Sequence, residues 1–453
     1  MRLEKIIAVD AVVIGGGIAG LQAALDLAEQ DYKVVLVEKD ASVGGKMIRL
    51  SKVFPTLDCA SCITTPKMAA AAHHENISIL SYSELKHLDR GSNGLLDAVV
   101  EKKTRYVDED KCIGCRQCEY ECPVLVADQN QGGFSARKAI YIPFSNAIPQ
   151  VAILDVENCI LCGKCEKICP TQAVDYFQKP QIVRIHAAAA VIATGFQMTS
   201  VYDKPQYGSG EIPNVIDALQ MERLLAPHGP YNRVLRPSDG MEPDSIAFVQ
   251  CAGSRDRSMG IPYCSRVCCM YAIKQAMLLS GALPLADITI YYMDIRAFGK
   301  NYEQFFQNAQ AMGIQFVKAK VASLAEGGNG AVEVRYEDQL NGGVTSTGHD
   351  LVVLSLGKVA EWNPFGECPV EVAEDGFIRS VEPRLAPTLT SMEGVFVAGA
   401  AAGPKDIVDA IAEAGAAAMK ASSYLTAFRK SDQAEWKVQS GLVSEQGQTA
   451  ALG

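Results

Sequence analysis

The chain reads Asp10-Ala11-Val12-Val13-Ile14-Gly15-Gly16-Gly17-Ile18-Ala19-Gly20, continues through an amphipathic run at 21–29, and reaches Lys33-Val34-Val35-Leu36-Val37-Glu38. This order predicts a strand, a tight turn, a helix and a second strand, which together make a βαβ unit. Gly15 suits the turn. Gly17 lets the backbone approach a pyrophosphate, and Gly20 lets helix and strand close up. Ile18 and Ala19 lie in the glycine stretch that leads into the helix, whose unpaired N–H groups favour phosphate. Glu38 stands where ribose hydroxyls would donate to it, with Lys39 beside it.

Gly44-Gly45-Lys46 follows closely. A Gly-Gly pair there resembles the FAD-binding members of the glutathione-reductase superfamily, so FAD is expected rather than NAD. Gly45 and Lys46 then stand beside the cofactor, although Lys46 also reads as a solvated charge. Two later landmarks fit the same superfamily. An apolar run at 187–193 ends in Ala193-Thr194-Gly195, and a strand at 394–398 leads through Gly399-Ala400 to a helix over 407–419. The Asp usual after such an Ala-Gly is absent; Ala400 holds its place. Asp406, next to Ile407, is read as the substitute.

Between these landmarks the composition changes. Cys112-Ile113-Gly114-Cys115-Arg116-Gln117-Cys118 leads to Cys122-Pro123, and Cys159-Ile160-Leu161-Cys162-Gly163-Lys164-Cys165 leads to Cys169-Pro170. This doubled run is the ferredoxin pattern for two 4Fe-4S clusters, in which the fourth Cys serves the other cluster. The expected sets are Cys112, Cys115, Cys118 and Cys169, and Cys159, Cys162, Cys165 and Cys122. Zinc is the plainer alternative. No chemistry can be assigned from spacing to the link at 132–141.

A second βαβ unit starts at Ser245-Ile246-Ala247-Phe248-Val249-Gln250. A Gly-rich nicotinamide turn should follow, yet the chain runs into Cys251, Cys264, Cys268 and Cys269. Four thiols meet one cluster's requirement, so a metal cluster is expected where a pyridine nucleotide would dock. A structural or zinc-binding thiol group is the alternative. Cys59 and Cys62 remain open between a redox dithiol, a partial metal site and structural thiols. Cys368, His73 and His74 read as structural. The strand at 351–356 is expected to return to the flavin domain.

The chain has 453 residues, a net charge of −10 and fifteen cysteines. An acidic chain without a Lys/Arg block argues against nucleic acid. No apolar run is long enough to span a bilayer. Cysteines at two-residue gaps suggest metal ligation in a reducing compartment, hence a cytoplasmic protein.

With these residues in view, the chain resembles the A-subunit family of heterodisulfide reductase, and the related A-subunit family of the quinone-interacting oxidoreductase complex. The likeness is carried by Phe248-Val249-Gln250-Cys251-Ala252-Gly253-Ser254-Arg255-Asp256, the block at 264–274 and the ferredoxin insert. It implies an α/β, thioredoxin-reductase-like flavoprotein with two dinucleotide-binding domains and an inserted two-cluster ferredoxin. It implies three 4Fe-4S clusters, one of them beside FAD, and Lys274 near flavin N5.

The expected division is FAD domain at 1–105, 181–244 and 351–428, ferredoxin at 106–180, cysteine-bearing domain at 245–350 and polar tail at 429–453. The implied role is electron transfer, with electron bifurcation as one mode, in a heterodisulfide reductase-like complex. The implied partners are B- and C-type subunits and an electron donor subunit or ferredoxin, around a homodimer, with membrane association only through partners. Larger members add an N-terminal cluster domain and a C-terminal ferredoxin, which this chain is expected to lack. Two rival readings remain. One is the corresponding part of the quinone-interacting complex; the other is a self-contained flavin disulfide reductase using Cys59 and Cys62.

Overall fold

A computed structural model describes residues 4–91, 93–361 and 368–430. Most of the expected tail, residues 431–453, lies outside the described residues. Two seven-stranded sheets dominate. In the first, Glu4–Ile14 is central, flanked by Val34–Val37 and Gln181–Ile192 in parallel. Val34–Val37 pairs onward with Ile77–Leu80, and Val395–Val397 joins Gln181–Ile192 in parallel. The antiparallel hairpin of Ser83–Arg90 and Leu96–Lys102 completes the sheet. The register sets Ile14 opposite both Val37 and Ile192, and Ile192 opposite Val397. Gly15, Glu38, Ala193 and Ala398 therefore emerge at one edge, the carboxyl ends of the parallel strands, where such sheets bind ligands.

The central strands are apolar on both faces because both faces are covered. Ala11, Val12 and Val13 are fully buried. The helices Ile18–Ala28 and Ile407–Lys430 pack over one face, bringing Leu21, Leu25, Ala414 and Ala418 into one core. Alanine at 187–190 keeps the adjoining strand slim enough for that approach.

The second sheet runs Val215–Asp217, Leu351–Leu354, Ser245–Val249, Asp287–Tyr292, Gln315–Glu326, Val332–Asp338, Val344–His349. Its first five strands are parallel. This corrects one expectation. Leu351–Leu354 does not return to the flavin sheet but pairs with Ser245–Val249. Val215–Asp217, placed by sequence in the flavin domain, also belongs here. Both are short apolar strands that fit either sheet, and pairing decided between them. The crossing between sheets comes later, as Phe196–Met198 pairs antiparallel with Lys358–Ala360.

Between Leu96–Lys102 and Gln181–Ile192 lies the ferredoxin insert, with its own small core of Val107, Ile140, Ile142 and Leu154. The link that spacing could not explain is a docking segment. Gln220 Nε2 donates to Gly132 O at 3.0 Å, Arg223 Nε to Gln131 Oε1 at 3.0 Å, and Tyr231 OH to Phe134 O at 2.6 Å. Among the described residues, no helix is long and apolar enough to cross a membrane.

Candidate functional site

A cavity of about 310 Å³ opens at the carboxyl edge of the first sheet. Gly15, Gly17, Ile18 and Ala19 line it, with Glu38 and Lys39 from the second strand. Gly45 and Lys46, then Ala193, Thr194 and Gly195, then Ala400, Asp406 and Ile407 complete the parts expected from sequence. Gly15 has φ +107°, and a side chain there would strike Ala193 O at 2.4 Å. Gly20 lies behind the wall, where a Cβ would fall 1.8 Å from Gly15 O. Gly399 likewise packs on Ala19 rather than lining the cavity. This cradle suits FAD: close backbone approach at Gly15 and Gly17, a helix N-terminus at Ile18, and an acid at Glu38.

Glu38 is buried and accepts a 2.7 Å bond from Gly16 N–H. Burial, aided by Asp40, pushes its carboxyl up to about 7. Lys39 and Lys46 both pair with Glu361, which also lines the cavity. Asp406 accepts from Tyr302 OH at 2.8 Å.

Sequence reasoning missed Glu222, Tyr271, Gln275, Phe196, Lys358 and Glu361, all in the cavity wall. The one available signal was helical spacing, since Tyr271 and Gln275 stand three and seven residues after Cys268 on one face. Lys274 is buried, and its ammonium is ion-paired to Glu222 and donates to Lys52 O at 2.9 Å. It stands behind the wall, and Glu222 is the partner that lines the cavity. Burial alone would raise the Glu222 carboxyl, but Lys274 and the bonds from Gln275 and Ser51 hold it below its ordinary value.

In the second sheet, the strand Ser245–Val249 ends at Val249, and Cys251 follows in the left-handed region, φ +58°. Cys268 and Cys269 open the helix Cys268–Ala282. Burial, with the neighbouring thiols, pushes the Cys268 thiol up to about 12; burial likewise pushes Cys269 up to about 12. Cys251 and Cys264 are among the neighbours acting on both. Cys268 Sγ donates to Leu356 O at 3.4 Å, and Tyr271 OH donates to the same carbonyl at 2.9 Å.

In the ferredoxin insert, Cys112, Cys115, Cys118 and Cys169 surround one small cavity. Burial, with Cys159 nearby, pushes the Cys165 thiol up, and Cys165 Sγ lies 3.2 Å from Tyr176 OH. Cys122 is buried and Cys162 exposed. Among the described residues, no three His, Cys, Asp or Glu converge tightly enough to hold a single metal ion. A cubic cluster is instead held from separate corners by thiolates.

Cys59 caps the helix Ala60–His73, accepting from Cys62 N–H at 3.3 Å. The Cys62 thiol and that N–H hold Cys59 below the ordinary thiol value. Neither Cys59 nor Cys62 lines the cavity. Cys368 is buried in the first sheet's core.

Comparison with known proteins agrees with this geometry. Residues 10–57 match the FAD dependent oxidoreductase family, and residues 111–174 the 4Fe-4S dicluster domain. The chain is 46% identical over 424 residues to the A subunit of H(2)/formate:CoB-CoM heterodisulfide,ferredoxin reductase from Methanococcus maripaludis, covering 92% of this chain and 64% of that one. It is 43% identical over 431 residues to the iron-sulfur A subunit of CoB–CoM heterodisulfide reductase from Methanocaldococcus jannaschii, covering 92% and 65%. In fold it is similar to thioredoxin reductase of T. acidophilum, with a TM-score of 0.52 at 15% identity over 93% of this chain and 99% of that one. The enzyme from Lactococcus lactis gives 0.52 at 13%, over 92% and 99%. The chain spans less than two thirds of the length of these curated relatives. Over the stretch shared with them, it belongs to the A-subunit family of heterodisulfide reductase.

Proposed function

We propose that this chain is the FAD- and iron–sulfur-bearing electron-transfer part of a heterodisulfide reductase-like complex, with three 4Fe-4S clusters. One observation carries the reading. The helix Cys268–Ala282 bears two thiols in its first turn and turns Tyr271 and Gln275 into the cavity. At 1.5 Å rise per residue, Cys268 and Gln275 are separated along the axis by only about 10 Å. Thiols and cavity thus share one rigid element.

A local repeat supports a cluster there. The second residue after the leading Cys has positive φ at Gly114 (+68°), Leu161 (+52°) and Arg266 (+61°). Leu161 N–H donates to Cys159 Sγ at 3.3 Å, and Arg266 N–H to Cys264 Sγ at 3.3 Å. The backbone curl around the ferredoxin thiols therefore recurs at Cys264. Such N–H···S bonds favour the thiolate, the form that ligates.

Bound FAD would supply the exchange between two-electron and one-electron steps. The Gly15–Gly17 turn would hold its pyrophosphate and Glu38 its ribose. Gln275 and the Glu222–Lys274 pair offer a fixed polar wall. Cys251, Cys264, Cys268 and Cys269 would hold the nearest cluster, and the two ferredoxin thiol sets would hold two more, which would supply one-electron transfer. The partners of this reading are B- and C-type subunits and a donor subunit or ferredoxin, around a homodimer. Disulfide reduction would take place on a partner.

Anaerobically purified chain should hold one FAD and about twelve irons. A reproducible value of about eight removes the cluster at Cys251. The Cys59–Cys62 contact favours a second reading, an exchanging dithiol within this chain. Alkylation of the flavin-reduced protein separates the two. Label on Cys59 or Cys62 that abolishes disulfide turnover supports the dithiol, and undiminished electron transfer supports the relay.

A further inference from the structure

We propose that Lys358 is the cation that meets the negative charge of the flavin ring, standing between the cavity and the Cys251–Cys269 thiols. The inference rests on FAD filling this cavity and goes beyond it by assigning the ring's charge partner.

Lys358 lines the cavity and is only 8% exposed. Its Nζ lies 3.9 Å from the centre of the Phe196 ring and donates to Lys405 O at 3.0 Å. Among the described residues, no carboxylate stands within ion-pair distance of it. Each comparable lysine nearby has a carboxylate partner: Lys39 and Lys46 share Glu361, Lys405 has Glu413 and Lys274 has Glu222. An unpaired buried ammonium is costly, and one cation–π contact offsets only a small part of that cost. Burial pushes the Lys358 ammonium down to about 8; Cys268 and Asp406 favour its charge, and Lys46 opposes it. The missing compensation points to an anion that enters the cavity.

FAD brings two anionic parts. The pyrophosphate already has donors at Gly17 and the helix beginning at Ile18. Lys358 stands instead near Asp406, where the helix Ile407–Lys430 begins, and near Cys268. Its main chain is clamped by the thiol-bearing loop: Lys358 N–H donates to Ser265 Oγ at 2.8 Å, and Tyr263 OH donates to Lys358 O at 3.1 Å. Its backbone thus belongs to the thiol side and its ammonium to the cavity. A cation so fixed would hold charge that arrives on the ring and raise the ring's affinity for electrons.

The test uses the whole chain, purified anaerobically with FAD and iron, as wild type, Lys358→Met and Lys358→Arg. Three quantities are read: FAD and iron content, the flavin midpoint by redox titration, and the dissociation constant for sulfite, which adds to oxidised flavin and leaves negative charge on the ring. Lys358→Met should keep iron. Its reduced-to-oxidised flavin ratio at fixed potential should fall at least tenfold, about 30 mV for a two-electron couple. Sulfite binding should weaken at least tenfold, and Lys358→Arg should restore both. If Lys358→Met loses FAD, Lys358→Gln loaded with excess FAD gives the same readings. An unchanged midpoint and sulfite constant in the FAD-loaded Met or Gln variant overturns the assignment. Wild-type chain that takes up no FAD overturns instead the reading beneath it.

Discussion

The chain makes the same architectural move twice and finishes it differently. In the first sheet, Glu4–Ile14 ends at Gly15, and the helix begins at Ile18. In the second, Ser245–Val249 is followed by residues 250–267 before its helix begins at Cys268. The first turn is glycine because bare backbone must approach a phosphate. The second is long, and Cys251 sits in the left-handed conformation that glycine would adopt at less cost. Backbone strain is accepted there in favour of a side chain. A phosphate is bound by N–H groups, whereas an iron–sulfur cluster requires thiolates spread around it.

The most direct way to break this comparison is Cys251→Gly, which makes the second turn chemically like the first. Iron should fall from about twelve to about eight atoms per chain. The metal-free chain should gain roughly 1 kcal/mol from relief of left-handed strain. Undiminished iron would remove the contrast. In the ferredoxin insert, Cys169→Ser should abolish the cluster held by Cys112, Cys115 and Cys118 while sparing the one held by Cys159, Cys162 and Cys165. Electron paramagnetic resonance on the reduced protein distinguishes the two.

Lys274→Met leaves Glu222 buried and unpaired, so chemical denaturation should show a loss of about 3–5 kcal/mol. The double change with Glu222→Gln should recover much of that loss. The effect of Glu38 is similar in size but depends on pH. Its folded-state value, about 7, lies above that of free glutamate. In the FAD-free chain the stabilisation is complete below the ordinary glutamate range and is lost, by about 3 kcal/mol, as pH rises through about 7. Ribose hydroxyls donate to the ionised carboxylate, so FAD affinity should rise over the same interval. Glu38→Gln should flatten both profiles. The smallest effect is expected at the docking segment. Tyr231→Phe, which removes the bond to Phe134 O, should cost about 1 kcal/mol while leaving iron and FAD content intact.

The parts that were legible in the sequence depend on short-range geometry. Gly15, Gly17 and Glu38 lie within one βαβ unit, so their spacing alone brings them to one edge. The doubled cysteine runs were legible for the same reason, because each wraps its cluster within a few residues. Leu351–Leu354 was misread because four apolar residues carry no mark of which sheet they join. The cavity wall was harder still. Phe196, Glu222, Lys358 and Glu361 come from separate segments and are unremarkable in sequence. Glu222 became visible only when Lys274 and Gln275 folded against it.

The order of the amino acids alone set the chemistry available: a phosphate turn, two ferredoxin thiol sets, and four further thiols where a nicotinamide turn would be. These follow from residue type and local spacing, which a single turn or helix preserves. Folding across the chain settled which sheet each short strand joins, that the helix Cys268–Ala282 carries thiols and cavity wall together, and which lysines have a carboxylate partner. Ion pairing and burial depend on distances across the fold, and residues such as Lys46 and Glu361 lie far apart in the chain but meet at one wall.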